Sequence, residues 1–293
     1  MKNTFTIYGD FRIVKYNYIY FLKKSNEEDI PIYKVKKKEK WFVGTVNVAK
    51  QIETLGNSAN IFIPKILKIE GIPIDVNEII EDEIFITENG SILFHFLKRE
   101  NIKIDNLNDI LRTVKKNSRG RCIIVDYNTG LCKPEILRIL KDRCRECIIR
   151  GHSDNYMNYY NFDYLIINIR DLQSITKKNI ITKTSLFTSS IWLGNILNTK
   201  LIVTLGKDGV LLYDDKIYLI GTIKRDVVHR VGVGDIFLAI FSSFVDLELI
   251  DRIKIANIGS SISITKTNPI ISKEELEKEM EKLDDIDVEE YEV

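Results

Sequence analysis

"HRVGVGDIFLAIFSSF", His229 to Phe244, sets the reading of the whole chain. Two glycines flank Val233, Asp235 follows, and an apolar run then continues unbroken to Ser242. A helix that is apolar on every side is a buried helix. Small residues before a helix let backbone N–H groups converge on an anion, and the helix dipole adds to the attraction. A phosphate fits at Gly232, Val233 and Gly234. The carboxylate of Asp235 beside it can take the proton of a hydroxyl attacking a phosphoryl group. The same spacing also suits a pair of loop glycines before an ordinary aspartate at a helix start. Spacing alone leaves both open.

The surrounding chain narrows the choice. Its 293 residues carry a formal net charge of +1 and are 44% hydrophobic, enough for a sizeable core. Near-neutral charge gives no footprint for nucleic acid. "KVKKKEK" (Lys34 to Lys40) and the acidic end from about residue 284 to 293 read as a solvated surface and a tail. The N-terminal "MKNTFTIYGDF" has no apolar signal region, and no run reaches the ~18 apolar residues of a membrane span. A cytoplasmic protein without a membrane partner is expected. Cys122, Cys132, Cys144 and Cys147 include one C-x-x-C, but the first two are not spaced as a zinc knuckle, so free thiols are expected. Three histidines are too few to favour a histidine-based metal site.

Outward from the quoted stretch, strands alternate with helices. "RCIIVDYNTG", "ECIIR", "FDYLIIN" and "KLIVTLG" are short apolar strands, and "NLNDILRTVKKN", "KPEILRILKDRC" and "DRIKIANIGSSISIT" are helices. "SKEELEKEMEKL" opens with a capping box, Ser272 and Glu275. "VLLYDDKIYLI" is a hairpin turned at Asp214-Asp215. This alternation predicts one α/β domain over 1–293 with a mainly parallel sheet. Two early β-rich pieces, about 29–42 and 83–98, stand outside it and predict a small second sheet, a lid. Asn89-Gly90 supplies a type I′ turn for the second piece. In such sheets ligands bind at the carboxyl ends of the strands. There the sequence places Asp10, Asp126, Asn168 with Asp171, and Thr204 with Gly206.

"VGVGDIFLAIF" resembles the G-A-G-D signature of the PfkB (ribokinase-like) carbohydrate kinases. "WFVGTVNVAKQIETLG" is similar to that family's Gly-Gly-x-x-Asn sugar-binding segment, "LIINIRD" to its N-x-x-E element, and "IVTLGKDGVLLYDD" to its T-x-G-x-x-G segment. Within the family the "GD" strand, "PIYKVK" and the "DY..G" turn look nearest to bacterial heptose-phosphate kinases. The resemblance implies a three-layer α/β/α sandwich with a β lid, ATP and Mg²⁺ as cofactors, and a sugar or sugar phosphate as acceptor. It implies Asp235 as general base and Gly232, Val233 and Gly234 as the anion hole. Gly44 and Asn47 match sugar contacts. Thr204, Gly206, Gly209 and Asn257 match nucleotide-side positions, and Asn168 and Asp171 match the element that organises Mg²⁺ through water.

The departures lie on the sugar side. The paired glycines read Val43-Gly44, and a second aspartate expected after the first strand reads Val14. A lysine of the "DY" turn reads Thr129, D-P-K reads Arg150-Gly151-His152, and an Arg and Asp expected in the lid read His95 and Leu97. Arg150, His152 and Arg230 are candidates to replace lost phosphate contacts, because arginine binds phosphate bidentately. Three readings follow: a kinase for an unusual acceptor, a degenerate kinase that binds a nucleotide or partner, and a nucleoside or vitamin-precursor kinase. Lids of this family often pair edge to edge, which implies a homodimer through the lid.

Overall fold

The computed structural model describes residues 3–25, 28–65, 70–76, 80–88, 92–97, 102, 104 and 106–293. Among them, ten strands form one sheet in the order β14-β13-β12-β11-β10-β9-β8-β1-β4-β5. The centre is β1 (Thr4–Gly9), β8 (Arg121–Val125), β9 (Glu146–Arg150), β10 (Tyr164–Asn168) and β11 (Lys200–Thr204), all parallel. Helices cover both faces of such a sheet, so its strands read as continuous apolar runs. Ile7, Ile123, Ile124, Ile148, Ile149, Leu165 and Ile202 are accordingly inaccessible to solvent. β4 (Ser58–Pro64) and β5 (Ile72–Ile74) extend the sheet beyond β1. β12 (Val210–Asp214) and β13 (Lys216–Ile220) form the expected hairpin, with Asp215 at φ 60° in its turn.

The quoted apolar run is helix α6 (Val233–Ser243), with Ile236 to Phe241 at most 3% exposed. It packs on α7 (Leu249–Ser263). A β-carbon at Gly259 would lie 2.0 Å from Ile240 Cδ1, so only glycine permits that approach. Among the described residues, no helix is long and apolar enough to cross a membrane.

The lid is a separate sheet in the order β3-β2-β6-β7. One of its two 14-residue strands, β2 (Phe11–Lys24), is not among the elements the sequence pattern predicts. One residue, Asp10, separates it from β1, and no glycine or proline within it marks a new element. β3 (Pro31–Gly44), β6 (Glu81–Thr87) and β7 (Ile92–Leu97) agree with the two expected lid pieces to within a few residues. The Asn89-Gly90 turn lies outside the described residues. The acidic end also differs from the solvated tail expected. Val288–Tyr291 forms β14, antiparallel to β13. Side chains also dock it: Tyr291 meets Phe187 at a tilt with ring centroids 4.9 Å apart, Glu290 pairs with Lys216, and Lys183 pairs with Glu289.

Candidate active site

Two helix N-termini converge on Asp235. Gly232, the N-cap of α6, sits at φ 84°. A β-carbon there would approach Asn47 Nδ2 to 2.8 Å and Pro269 Cγ to 3.0 Å. Gly44, the N-cap of α1 (Thr45–Thr54), sits at φ 78°. A β-carbon at Gly44 would meet Asp10 O at 2.3 Å. Both glycines are therefore dictated by backbone angle and by space. Asp235, in the first turn of α6, is fully buried. The Gly44 N–H donates to its Oδ2 at 2.8 Å. Both helix dipoles favour its negative charge.

The other carboxylate oxygen is held by side chains. Tyr127 Oη donates to Asp235 Oδ1 at 2.5 Å, and the Arg150 guanidinium forms an ion pair with the same oxygen. Arg150 Nη1 also donates to Tyr127 Oη at 2.9 Å. The guanidinium lies flat against Gly234, where a β-carbon would come within 2.8 Å of Nη2. Burial, then the negative charge of Asp235, pushes the Tyr127 phenol far above its ordinary range, although Arg150 opposes this. Tyr127 therefore stays protonated and donates.

A cavity of about 250 Å³ opens beside this group. Asp126, Tyr127, Arg150, His152, Asn168, Asp171, Thr204 and Gly234 are among the residues that line it. Asn168 and Asp171 form a capping box on α4 (Ile169–Thr176): Asn168 Oδ1 accepts the Arg170 and Asp171 N–H groups, and Asp171 accepts from Asn168. The N-x-x-D spacing thus has a local structural cause as well as a place in the cavity wall. Burial raises the Asp171 carboxyl above its ordinary value, opposed by hydrogen bonding from Asn168 and by the charges of His152 and Arg150. A carboxylate at the wall of a phosphate-sized cavity fits a water-mediated Mg²⁺ contact.

The remaining candidates are placed differently. Asp10 is fully buried beneath the turn after β8, outside the cavity lining, where its Oδ2 accepts the Tyr127 and Thr129 N–H groups at 2.7 and 3.0 Å. Burial, and then the charge of Asp126, lift its carboxyl to about 6. Asp126 accepts from Tyr159 Oη and Asn155 Nδ2. Asn47 Nδ2 donates to Gly232 O at a long 3.5 Å. His152 caps the turn that follows it, its Nδ1 accepting the Asp154 N–H. Gly209 closes the β12 turn, where a β-carbon would meet Ile220 O at 2.1 Å, while Gly206 at φ 67° faces open space. Asn257 Nδ2 donates to Gly221 O at 2.8 Å and so ties α7 to the strand end after β13.

The lid contributes what the motifs did not reveal. The register of β2 with β3 and β6 puts Arg12, Val14, Tyr16 and Tyr18 on one face with Trp41, Val43, Asp82, Ile84 and Ile86. Val14, Tyr16, Val43, Ile84 and Ile86 form a buried cluster, against which Tyr127, Trp41 and Val231 pack. Arg12 lies over the Tyr127 ring at 5.0 Å and pairs with Asp82 at 3.6 Å. His229 meets Tyr16 edge-on at 5.0 Å, and burial lowers its pKa. Tyr127 itself carried one weak signal in the sequence, its place in the "DY..G" turn.

The profile of the pfkB family carbohydrate kinases matches residues 146–276. Among curated relatives, the Bifunctional protein HldE of Aliarcobacter butzleri is 22% identical over 292 residues, which cover 90% of this chain and 61% of that protein. The Bifunctional protein HldE of Campylobacter concisus is 25% identical over 151 residues, 49% of this chain and 32% of that protein. The chain thus spans from about a third to about three fifths of these relatives' lengths. The crystal structure of phosphofructokinase-2 from Escherichia coli in complex with substrates and products has a TM-score of 0.75 at 15% identity, covering 96% of this chain and 99% of that one. Arabidopsis thaliana ribokinase complexed with ribose and ATP has a TM-score of 0.71 at 14% identity, covering 96% and 99%. These likenesses give the fold: a ribokinase-like α/β sandwich with a β lid, as the motifs implied.

Proposed function

We propose, from the premise that this chain carries a pfkB-family carbohydrate kinase domain on a ribokinase-like fold, that it transfers the terminal phosphoryl of ATP to a hydroxyl of a sugar or sugar phosphate. The carrying observation is the fully buried Asp235 in the first turn of α6, beside a phosphate-sized cavity that Gly234, Arg150, Asp171 and Thr204 line. In this reading the acceptor hydroxyl gives its proton to Asp235 as it attacks. The Val233 and Gly234 N–H groups and the Arg150 guanidinium hold the transferring phosphoryl. Most of the rate comes from positioning and preorganised charge. Mg²⁺, held through water at Asp171, would offset phosphate charge. ATP would lie along Thr204 and Gly206, toward Gly221. Heptose phosphates are the first acceptors to try, given the HldE relatives.

Calorimetry with ATP and ADP, followed by phosphoryl transfer assays on a panel of sugar phosphates, tests the reading. Transfer to any of them supports it. One observation favours a second reading, a kinase-fold protein that binds without turnover. Both oxygens of Asp235 already have internal partners, and a buried, mostly apolar lid cluster packs on Tyr127, one of those partners. Absence of nucleotide binding and of transfer would select it. The exposed Phe94 and Phe96 on β7, an edge strand of the lid, support a homodimer through the lid, which light scattering measures.

A further inference from the structure

Among the described residues, one hydroxyl donates to Asp235, and it belongs to the protein. Tyr127 Oη lies 2.5 Å from Asp235 Oδ1, closer than a general base needs to be to its proton donor. Arg150 Nη1 orients the same oxygen at 2.9 Å. Nucleophile, base and orienting cation are thus in mutual contact, the arrangement that activates a weak nucleophile. Tyr127 also lines the cavity of about 250 Å³, together with Gly234, Asn168, Asp171 and Thr204. The phenol is therefore both the partner of the carboxylate and part of the wall of the space where a terminal phosphoryl would lie.

On the lid side Tyr127 packs against a buried cluster of Val14, Tyr16, Val43, Ile84 and Ile86; Tyr16 carries the one hydroxyl of that cluster, and the hydroxyl that donates to Asp235 among the described residues is that of Tyr127. The polar groups expected to hold a sugar are engaged internally at Asp10 Oδ2, with the turn backbone, at Asn47 Nδ2, with Gly232 O, and at Asp126, with Tyr159, while the buried Asp10 Oδ1 has no hydrogen-bond partner among the described residues. The turn that carries Tyr127 is fastened from below by Asp10, which accepts the Tyr127 N–H itself at 2.7 Å. The ring is fixed by Arg12 and Arg150, at 5.0 and 5.1 Å from its centroid.

We propose that Tyr127 is an internal phosphoryl acceptor, so that the chain phosphorylates its own Tyr127 from ATP when no small acceptor occupies the site. The proposal rests on the kinase reading above. Tyr127 Oη attacks the terminal phosphorus of ATP and forms a new O–P bond. The bond from that phosphorus to the bridging oxygen breaks, its electron pair leaves with ADP, and the phenolic proton passes to Asp235. The phosphotyrosine then fills the acceptor position against Arg150 and the start of α6. Reaction is therefore limited to one phosphoryl per chain, and a bound small acceptor that displaces the phenol suppresses it.

The full chain is incubated with ATP and Mg²⁺ and no acceptor, then analysed by intact mass and peptide mapping. The expected result is a gain of one phosphoryl group on the peptide holding Tyr127. It is absent in Tyr127→Phe and Asp235→Asn, both of which still bind ADP by calorimetry. A wild-type chain that binds nucleotide and phosphorylates a small acceptor in an Asp235-dependent way, but leaves Tyr127 unlabelled, overturns the proposal and spares the kinase reading. A label that survives Tyr127→Phe overturns it as well. A chain that binds no nucleotide overturns both.

Discussion

The body and the lid build the two walls of the site from different materials. On the body side, Gly234 in the first turn of α6 lines a cavity together with Asp171, Asn168 and Thr204. On the lid side, Val14, Tyr16, Val43, Ile84 and Ile86 turn hydrocarbon toward the same centre. The first wall suits any phosphoryl group, because backbone N–H groups and helix ends read charge and not identity. In the kinase reading the second decides which hydroxyl can approach, and beside its hydrocarbon it carries Arg12, Asp82, Tyr16 and Tyr18 as polar groups. The wall that would handle the phosphoryl and the wall that would meet its recipient are thus built by separate parts of the chain.

Breaking the body wall should have the largest effect. Asp235→Asn keeps the shape and loses the base, so turnover should fall by about two to four decades, while calorimetric ADP affinity stays nearly unchanged. Equal turnover in that variant would remove Asp235 from the chemistry. Gly44→Ala attacks the seam between the walls. Its φ of 78° and a contact of 2.3 Å to Asp10 O leave no room, and the strain should cost about 4 kcal/mol in denaturant unfolding.

Asp10 sharpens the comparison from beneath the body wall. Its carboxyl is lifted from 3.8 to about 6, mainly by burial. The folded protein thus holds a proton that the unfolded chain has released between these values. Its contribution to stability is present below about pH 4 and is lost as pH rises through about 6. The amount is roughly 3 kcal/mol. Asp10→Asn should flatten that part of the pH–stability curve, and an unchanged curve would refute the assignment. The smallest effect belongs to the lid. Val43→Ala removes two buried methyl-sized groups, costs about 1.5 kcal/mol, and should lower KM for bulkier acceptors while leaving the ATP KM unaltered.

Much of the body is legible in the sequence itself. Parallel strands buried on both faces leave uninterrupted apolar runs, and α6 leaves one too, so the sheet, its helices and the position of Asp235 follow from pattern. The lid is legible only in part. β2 follows β1 after a single residue, and chain punctuation is what separates strands in a sequence. The engagement of Asp235 is not legible at all. Tyr127 and Gly44 lie 108 and 191 residues away from it along the chain, and no local rule joins them. Asn168 and Asp171 show the converse: one spacing serves a helix cap and a cavity wall together, so the motif alone cannot divide the two roles.

β2 runs for 14 residues from Phe11, which pairs with Gly44, to Lys24, with register shifts against β3 at Tyr18/Ile19 and Phe21/Lys23. At roughly 3.3 Å per residue, that is an arm on the order of 45 Å long. Its companion β3 returns along it to Gly44, where the Thr45 N–H donates to Asp10 O at 3.0 Å. The arm and its return strand are therefore anchored together at one fulcrum, and Gly44, at that fulcrum, also grips the carboxylate. By simple leverage, a tilt of a few degrees there would sweep the far end of such an arm through several ångströms, so the geometry of one hydrogen bond at Gly44 is tied to the placement of the whole lid.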